Sequence, residues 1–199
     1  MSDLSETVSE AVERAAESRL NSVVAILVAL TATFMSLGNV KDGNIGQAMT
    51  EAQSKTVDTW SYYQAKSTKE SLAEATRDQL TVMRDLTPGM AAPVRAAIDR
   101  RIADYTARIA RYEREKNDIK KEAESYQARY ETLNLHDDQF DLSEAALSLS
   151  IALLGVTALT QKRWLLVLAI AFILFGFFFG VAGFLGWTVH PDALSSLLS

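Results

Sequence analysis

The chain has 199 residues, 48% of them apolar, with a formal net charge of −5 and no cysteine. That length can bury one sizeable core. The slight acidity argues against a nucleic-acid partner, which needs a basic surface to displace phosphate counterions, and the lack of thiols excludes disulfides, cysteine nucleophiles and cysteine-ligated zinc.

The average hides two regimes: residues 20–37 and 142–189 are strongly apolar, whereas residues 38–141 carry 16 of the 20 Lys and Arg and 18 of the 25 Asp and Glu. At the amino terminus, Asp3 and Glu6 are spaced as a helix capping box. No small-residue cleavage site closes the apolar run that follows, so the run is expected to stay as an anchor rather than leave as a signal peptide. From Leu4 onward a stripe of mostly small residues recurs at alternating spacings of four and three, passing through Ser22, Ala25, Ala29, Ala32 and Ser36. The pattern predicts one amphipathic helix, residues 1–37, that continues into a first transmembrane helix. Its small residues would let another span, or another copy of the chain, approach closely in lipid.

Residues 38–141 read as an extramembrane domain. Gly43-Asn44-Ile45-Gly46 is expected to be a loop between helices and not a phosphate cradle, because no strand precedes it and no Walker-type lysine and serine follow. Residues 45–86 and 94–132 give two helical arms of ~63 Å and ~58 Å at ~1.5 Å per residue. The prolines and glycine of the tip at residues 87–93 end one helix and start the next. The returning arm carries a heptad, with Ile98, Tyr105, Tyr112, Ile119, Tyr126 and Leu133 at one position and Ile102, Ile109, Lys116, Ala123 and Tyr130 at the other. Only Lys116 breaks it, so an antiparallel coiled-coil helical hairpin is expected.

Two further apolar helices, 142–160 and 164–189, follow the hairpin, joined by a tight turn at 161–163, and a short tail ends the chain at 190–199. The run Trp164 to Val189 holds 26 residues without a charge. At ~1.5 Å per residue it is long enough to cross a bilayer with some tilt. Gly176, Gly180 and Gly183 mark a close-packing face on it. The fold class expected is thus an all-α integral membrane protein, three transmembrane helices with a long antiparallel hairpin inserted between the first and second. Arg14, Arg19, Lys162 and Arg163 flank one side of the spans and Lys41, Lys55 and Arg129 the other, which favours a cytoplasmic amino terminus and an exterior hairpin.

The outgoing arm contains an aromatic patch, Trp60, Tyr62 and Tyr63, with Gln64, Lys66, Ser67 and Lys69. A membrane-interface belt would require Trp60 at headgroup level, yet it stands ~22 Å along an upright arm from Ile45. Antiparallel pairing with position sums near 179 instead sets Trp60 opposite Ile119, Tyr63 and Gln64 opposite Lys116, and Ser67 opposite Tyr112. A lysine stem covered by tyrosine and capped by the glutamine carbonyl would fix the register. A partner-binding face is the other reading of the patch.

The run from Trp60 to Lys69, with Tyr62, Tyr63, Gln64, Ala65, Lys66 and Ser67 between, resembles the hallmark of the bacterial family known as domain of unknown function 4337, and the layout of spans and charged middle is similar. The resemblance implies a protein of the bacterial inner (cytoplasmic) membrane, multi-pass, and carries no activity, substrate or catalytic residue.

Catalytic chemistry is not legible. His136, Asp137 and Asp138, with His190 beyond the third span, are the only candidate metal ligands. The blander account has Asp141 capping the second span, Glu144 reciprocating, and the other acids solvating a hinge. No nucleophile has a histidine and an acid in a suitable context, so no enzyme and no cofactor are expected. The sequence favours a membrane-anchored, homo-oligomeric coiled-coil scaffold or interaction protein. Its partners would be the lipid bilayer, copies of itself and another membrane or envelope protein. The alternative is a small oligomeric channel or transport accessory, whose polar path Ser148, Ser150 and Thr157 with Ser22, Thr33 and Ser36 would line.

Overall fold

The structure, a computed structural model, describes the backbone of residues 2–189 and the side chains of residues 19–189. The described residues form three α-helices and no strand: α1 (Ser2–Leu86), α2 (Ala92–Thr160) and α3 (Arg163–Leu185). Each contains a stretch long and apolar enough to cross a membrane. The Asp3 and Glu6 cap, the first half of the small-residue stripe, Arg14, His190 and the tail lie outside the described side chains.

Two sequence expectations are corrected by these long helices. The loop expected at Gly43–Gly46 is helical, and so is the hinge expected at the acids Asp137 and Asp138, where Asp141 is an interior position and not a cap. The reason is a buried stripe that never loses phase. Along α1, Thr31, Phe34, Gly38, Asp42, Ile45, Met49, Ala52 and Thr56 are buried or half-buried at spacings of three and four. Along α2, Leu133, Asp137, Phe140, Ser143, Leu147, Ser150, Leu154 and Thr157 do the same. A helix with its buried side in register on both flanks has no reason to open between them.

The helix ends follow local chemistry. Between α1 and α2, Val94 and Arg95 donate their N–H groups to Ala91 O at 3.0 and 3.1 Å. Pro93 falls within the first turn of α2, where its missing N–H costs nothing. After α2, Gln161 takes a left-handed φ of 58° and donates its N–H to Thr157 O at 2.8 Å. The third apolar helix ends at Leu185, short of the expected Val189, because Gly186 adopts φ 69°. Trp187 N–H then closes the helix on Ala182 O at 3.0 Å.

The chain divides into two compact units: Met49–Glu131, and the residues up to Ala48 taken with those from Thr132 onward. In the second of these, Val24, Leu154, Ala169 and Ile173 form a buried cluster. The α3 glycines set its packing distances. A Cβ on Gly176 would lie 2.7 Å from Leu147 Cγ, one on Gly180 2.6 Å from Phe34 Cε1, and one on Gly183 2.8 Å from Phe140 Cε2. Phe34 stacks on Phe177 with ring centroids 4.0 Å apart, and Phe140 meets Phe184 edge to face at 5.2 Å. Fully buried Gln139 donates its amide to Trp187 O and Val189 O, both at 2.8 Å, satisfying carbonyls freed where α3 ends.

The glycines therefore separate into two classes. Gly43 and Gly46 would offer a Cβ open space, so Gly43→Ala and Gly46→Ala should each stabilise the helix by about 1 kcal/mol. Gly176→Ala and Gly180→Ala should each destabilise by about 1–3 kcal/mol through overpacking. Unfolding midpoints in mild detergent, followed by circular dichroism, would reveal the opposite signs.

Candidate functional site

In the unit Met49–Glu131, the buried positions of the returning arm coincide with the heptad residues. Ile98, Ile119 and Ala123 are buried, and the tyrosines and Ile102, Ile109 and Lys116 are half-buried. Lys116 sits in this face with its Nζ 5.8 Å from the centre of the Tyr63 ring. Its partner is not the Gln64 carbonyl expected from sequence: Gln64 is exposed, and Lys116 Nζ donates to Glu70 Oε2 at 2.5 Å. A carboxylate two turns further along outcompetes the amide because a charge-assisted bond is about twice as strong as a neutral one.

A second, reciprocal pair was missed. Lys66 Nζ donates to Glu115 Oε2 at 2.5 Å and lies 5.4 Å and 5.6 Å from the ring centres of Tyr62 and Tyr112. Lys66, half-buried, thus lies against Tyr112 where Ser67 was expected. Trp60 touches Tyr63 edge to face, ring centroids 5.4 Å apart. One arm presents lysine then glutamate four residues apart, and the other presents glutamate and lysine side by side. The bonds from Lys66 to Glu115 and from Lys116 to Glu70 consequently run in opposite directions. Near the turn, Arg84 reaches Asp99 at 3.2 Å.

These bonds hold their charges. The Glu115 bond raises the Lys66 ammonium above its ordinary range, and the Lys66 bond lowers Glu115 below the usual carboxylate range. Glu70 likewise raises Lys116. The lysine contributions are complete at neutral pH and vanish only as pH rises through the raised ammonium values. The Glu115 contribution vanishes only as pH falls through its lowered value.

The other unit contains a contrasting cluster of acids. Asp42 of α1 and Asp137 of α2 lie close enough for each to act on the other's carboxyl. Burial first, then the charges of Asp42 and Asp141, push Asp137 up to about 6. Asp42 is raised by burial and by the charge of Asp141. One Asp42 oxygen, Oδ1, is buried without a hydrogen-bond partner. His136 Nδ1 lies 3.3 Å from Gln139 Oε1. Among the described residues, no three His, Asp or Glu side chains are placed to hold a metal ion. His190 lies outside them. Asp42 was absent from the sequence-based cluster because it comes from a different helix. The position sum of 179 used for the arms pairs it with Asp137 and would have found it.

Of the remaining sequence candidates, Gly176, Gly180 and Gly183 pack against α1 and α2 within the chain. Ser22, Ala25, Ala29 and Ser36 are exposed on it, and Ala32 is half-buried. The buried side of α1 in this region is Val24, Leu27, Val28 and Thr31. The small-residue stripe therefore is not the face that packs within the chain.

A family model described as domain of unknown function, DUF4337, matches residues 20–186. No curated protein and no solved structure matches the chain. The family match spans most of the sequence, and the chain belongs to that family.

Two outcomes follow from the geometry. Glu70→Lys should set like charges against Lys116 and loosen the arms, while Glu70→Lys with Lys116→Glu should restore them. Because the chain has no cysteine, the yield of a disulfide between Thr56→Cys and Ala123→Cys reads the register directly, falling with the single reversal and recovering with the double. For the acids, a carboxyl raised in the folded state binds its proton more tightly there than when unfolded. Stability should therefore increase as pH falls through about 6 towards the unfolded value near ~4. Asp137→Asn should exceed wild type in stability at pH 8, and the difference should close below about pH 4, measured by denaturation in detergent.

Proposed function

We propose that this member of a family without an assigned activity is a membrane-anchored, homo-oligomeric scaffold. Its exposed part would be an antiparallel coiled-coil hairpin that offers a surface to another membrane or envelope protein. The observation that carries the reading is the reciprocal pair of lysine–glutamate bonds with their tyrosine covers. Such polar contacts at half-buried positions are a device for fixing the register of paired helices. They contribute nothing to a reaction, and neither lysine is free to act as a base while its carboxylate partner holds it protonated.

The anchoring part of the proposal rests on the apolar segments of the three helices, residues 20–37, 145–160 and 164–185, none of which contains a charged residue. Asn21 Oδ1 accepts from Gln161 Nε2 at 2.9 Å, so Arg19, Lys162 and Arg163 belong to one end of the helix set. The other end has Lys41 among five acids, Asp42, Asp137, Asp138, Asp141 and Glu144. This asymmetry supports placing the basic end in the cytoplasm and the hairpin outside. Homo-oligomerisation is supported by the exposed stripe of Ser22, Ala25, Ala29 and Ser36, a smooth surface on which helix backbones can approach in lipid.

The channel alternative gains no such support. Thr33, Ser36, Ser150 and Thr157 each donate their hydroxyl to a carbonyl three or four residues back in their own helix, at 2.6–2.9 Å. Groups satisfied in this way do not need a polar path beside them.

Particle mass in mild detergent tests the proposal. The expected result is an integral multiple, above one, of the 21.9 kDa chain. Ala25→Leu with Ala29→Leu should shift it to a smaller species without loss of helicity. A monomeric wild type, together with no partner captured by cross-linking in cells, would overturn the scaffold reading.

A further inference from the structure

An open apolar groove of about 450 Å³ runs between α2 and α3. Ala145, Ala146 and Ala171 leave the space, and Leu149, Leu168 and Phe175 wall it, these three being 38–46% exposed. The lining contains no polar side chain. It extends over residues 142–149 of one helix and 168–175 of the other; since Leu147 meets Gly176 and Ser143 meets Gly180, Leu168 stands level with residue 155 and the trough is ~20 Å long at ~1.5 Å per residue. A narrow, wholly aliphatic and aromatic trough of this kind suits an alkyl chain and offers nothing to a polar ligand.

Charge decides what kind of alkyl chain. The Leu168 end of the groove points to the turn at Lys162 and Arg163, both exposed and without an ion pair among the described side chains. Arg163 precedes Leu168 by five residues, about 7.5 Å along the helix. Trp164, on the groove side of α3 four residues before Leu168, is 62% exposed, the placement of a headgroup-level aromatic. No Asp or Glu lies between Arg19 and Lys41 or between Ala145 and Val189. At the opposite end stand Asp137, Asp138 and Asp141, beyond Leu142, and Glu144, two residues after it. An anionic headgroup is attracted to one mouth of the groove and repelled from the other.

We propose that this groove binds one acyl chain of an anionic glycerophospholipid, whose phosphate is held by Lys162 and Arg163. The proposal rests on the membrane-spanning reading above. The site selects a lipid by two features at once, an apolar trough and a cationic mouth of one polarity. Bulk attraction of anionic lipid to basic residues would need only the second.

The test uses the full chain carrying Trp60→Phe and Trp187→Phe, which leaves Trp164 as the one tryptophan of the three in the sequence. It is reconstituted in phosphatidylcholine vesicles. Brominated phosphatidylglycerol and brominated phosphatidylcholine are compared as quenchers of Trp164 fluorescence. The expected result is a preference for the anionic quencher of about fivefold or more, the factor for one cation near an anionic headgroup. Lys162→Gln with Arg163→Gln should abolish the preference. Ala171→Phe should also abolish it by filling the trough with the cations intact, and Ala145→Phe does the same from the opposite wall should the first variant not fold. Equal quenching by the two lipids in the parent chain would overturn the site, as would a preference that survives both groove-filling variants. Absence of quenching by either lipid would overturn the membrane-spanning reading itself.

Discussion

The spacing of small and apolar side chains, three and four residues apart without a phase break, is the constraint on which the rest of this fold depends. It holds α1 together across a stretch that composition alone would break. Gly43 and Gly46 each cost the helix about 1 kcal/mol relative to alanine. Burying one isoleucine side chain such as Ile45, which is 6% exposed, returns about 1.5–3 kcal/mol. Opening the helix at the glycines would rotate Ile45 and the stripe after it off the buried side. Burial therefore outweighs local propensity, and the glycines are carried inside the helix. The same balance keeps α2 helical through the acids at 137–141, where Phe140 and Leu142 are 3% and 5% exposed.

That balance also sets what could be read from the sequence. The helical class, the apolar segments and the turn between α1 and α2 are written in features that act locally: charge-free runs, Pro88, Gly89 and Pro93, and a heptad of large side chains. The two false interruptions came from reading glycine and aspartate as breakers in isolation, when their weight is set by partners on other helices. Position along the arm sets Gln64, and not Glu70, opposite Lys116. The reach of a lysine stem covers more than one turn, and charge then decides among the acceptors. Asp42 was legible only by applying the pairing register to residues outside the heptad.

Two electrostatic arrangements in the chain behave oppositely. In the arms, each lysine meets a glutamate whose bond raises the ammonium above its ordinary range, and Lys66 in turn lowers Glu115. In the other unit, acid faces acid, and Asp137 is pushed up to about 6 by burial first and then by the charges of Asp42 and Asp141. The first arrangement fixes a geometry and is insensitive to neutral pH. The second contributes stability that declines as pH rises through about 6, since loss of the Asp137 proton leaves two carboxylates, one with a buried unpaired oxygen, at the same contact.

The glycines of α3 bear on where association can occur. Each receives a large side chain from a neighbouring helix, Leu147 at Gly176, Phe34 at Gly180 and Phe140 at Gly183. The small-residue surface of α3 is thereby consumed within the chain. The hydroxyls of the apolar segments are largely consumed too, bonded to carbonyls of their own helices. Two exposed surfaces differ from these: an apolar trough between α2 and α3, and a row of alanines and serines on α1. A trough between large side chains admits a flexible alkyl chain but gives a rigid helix few contacts, whereas a row of small residues does the reverse, bringing backbones close and leaving an alkyl chain nothing to grip. By shape alone, then, the trough suits an alkyl chain and the row of small residues suits another helix.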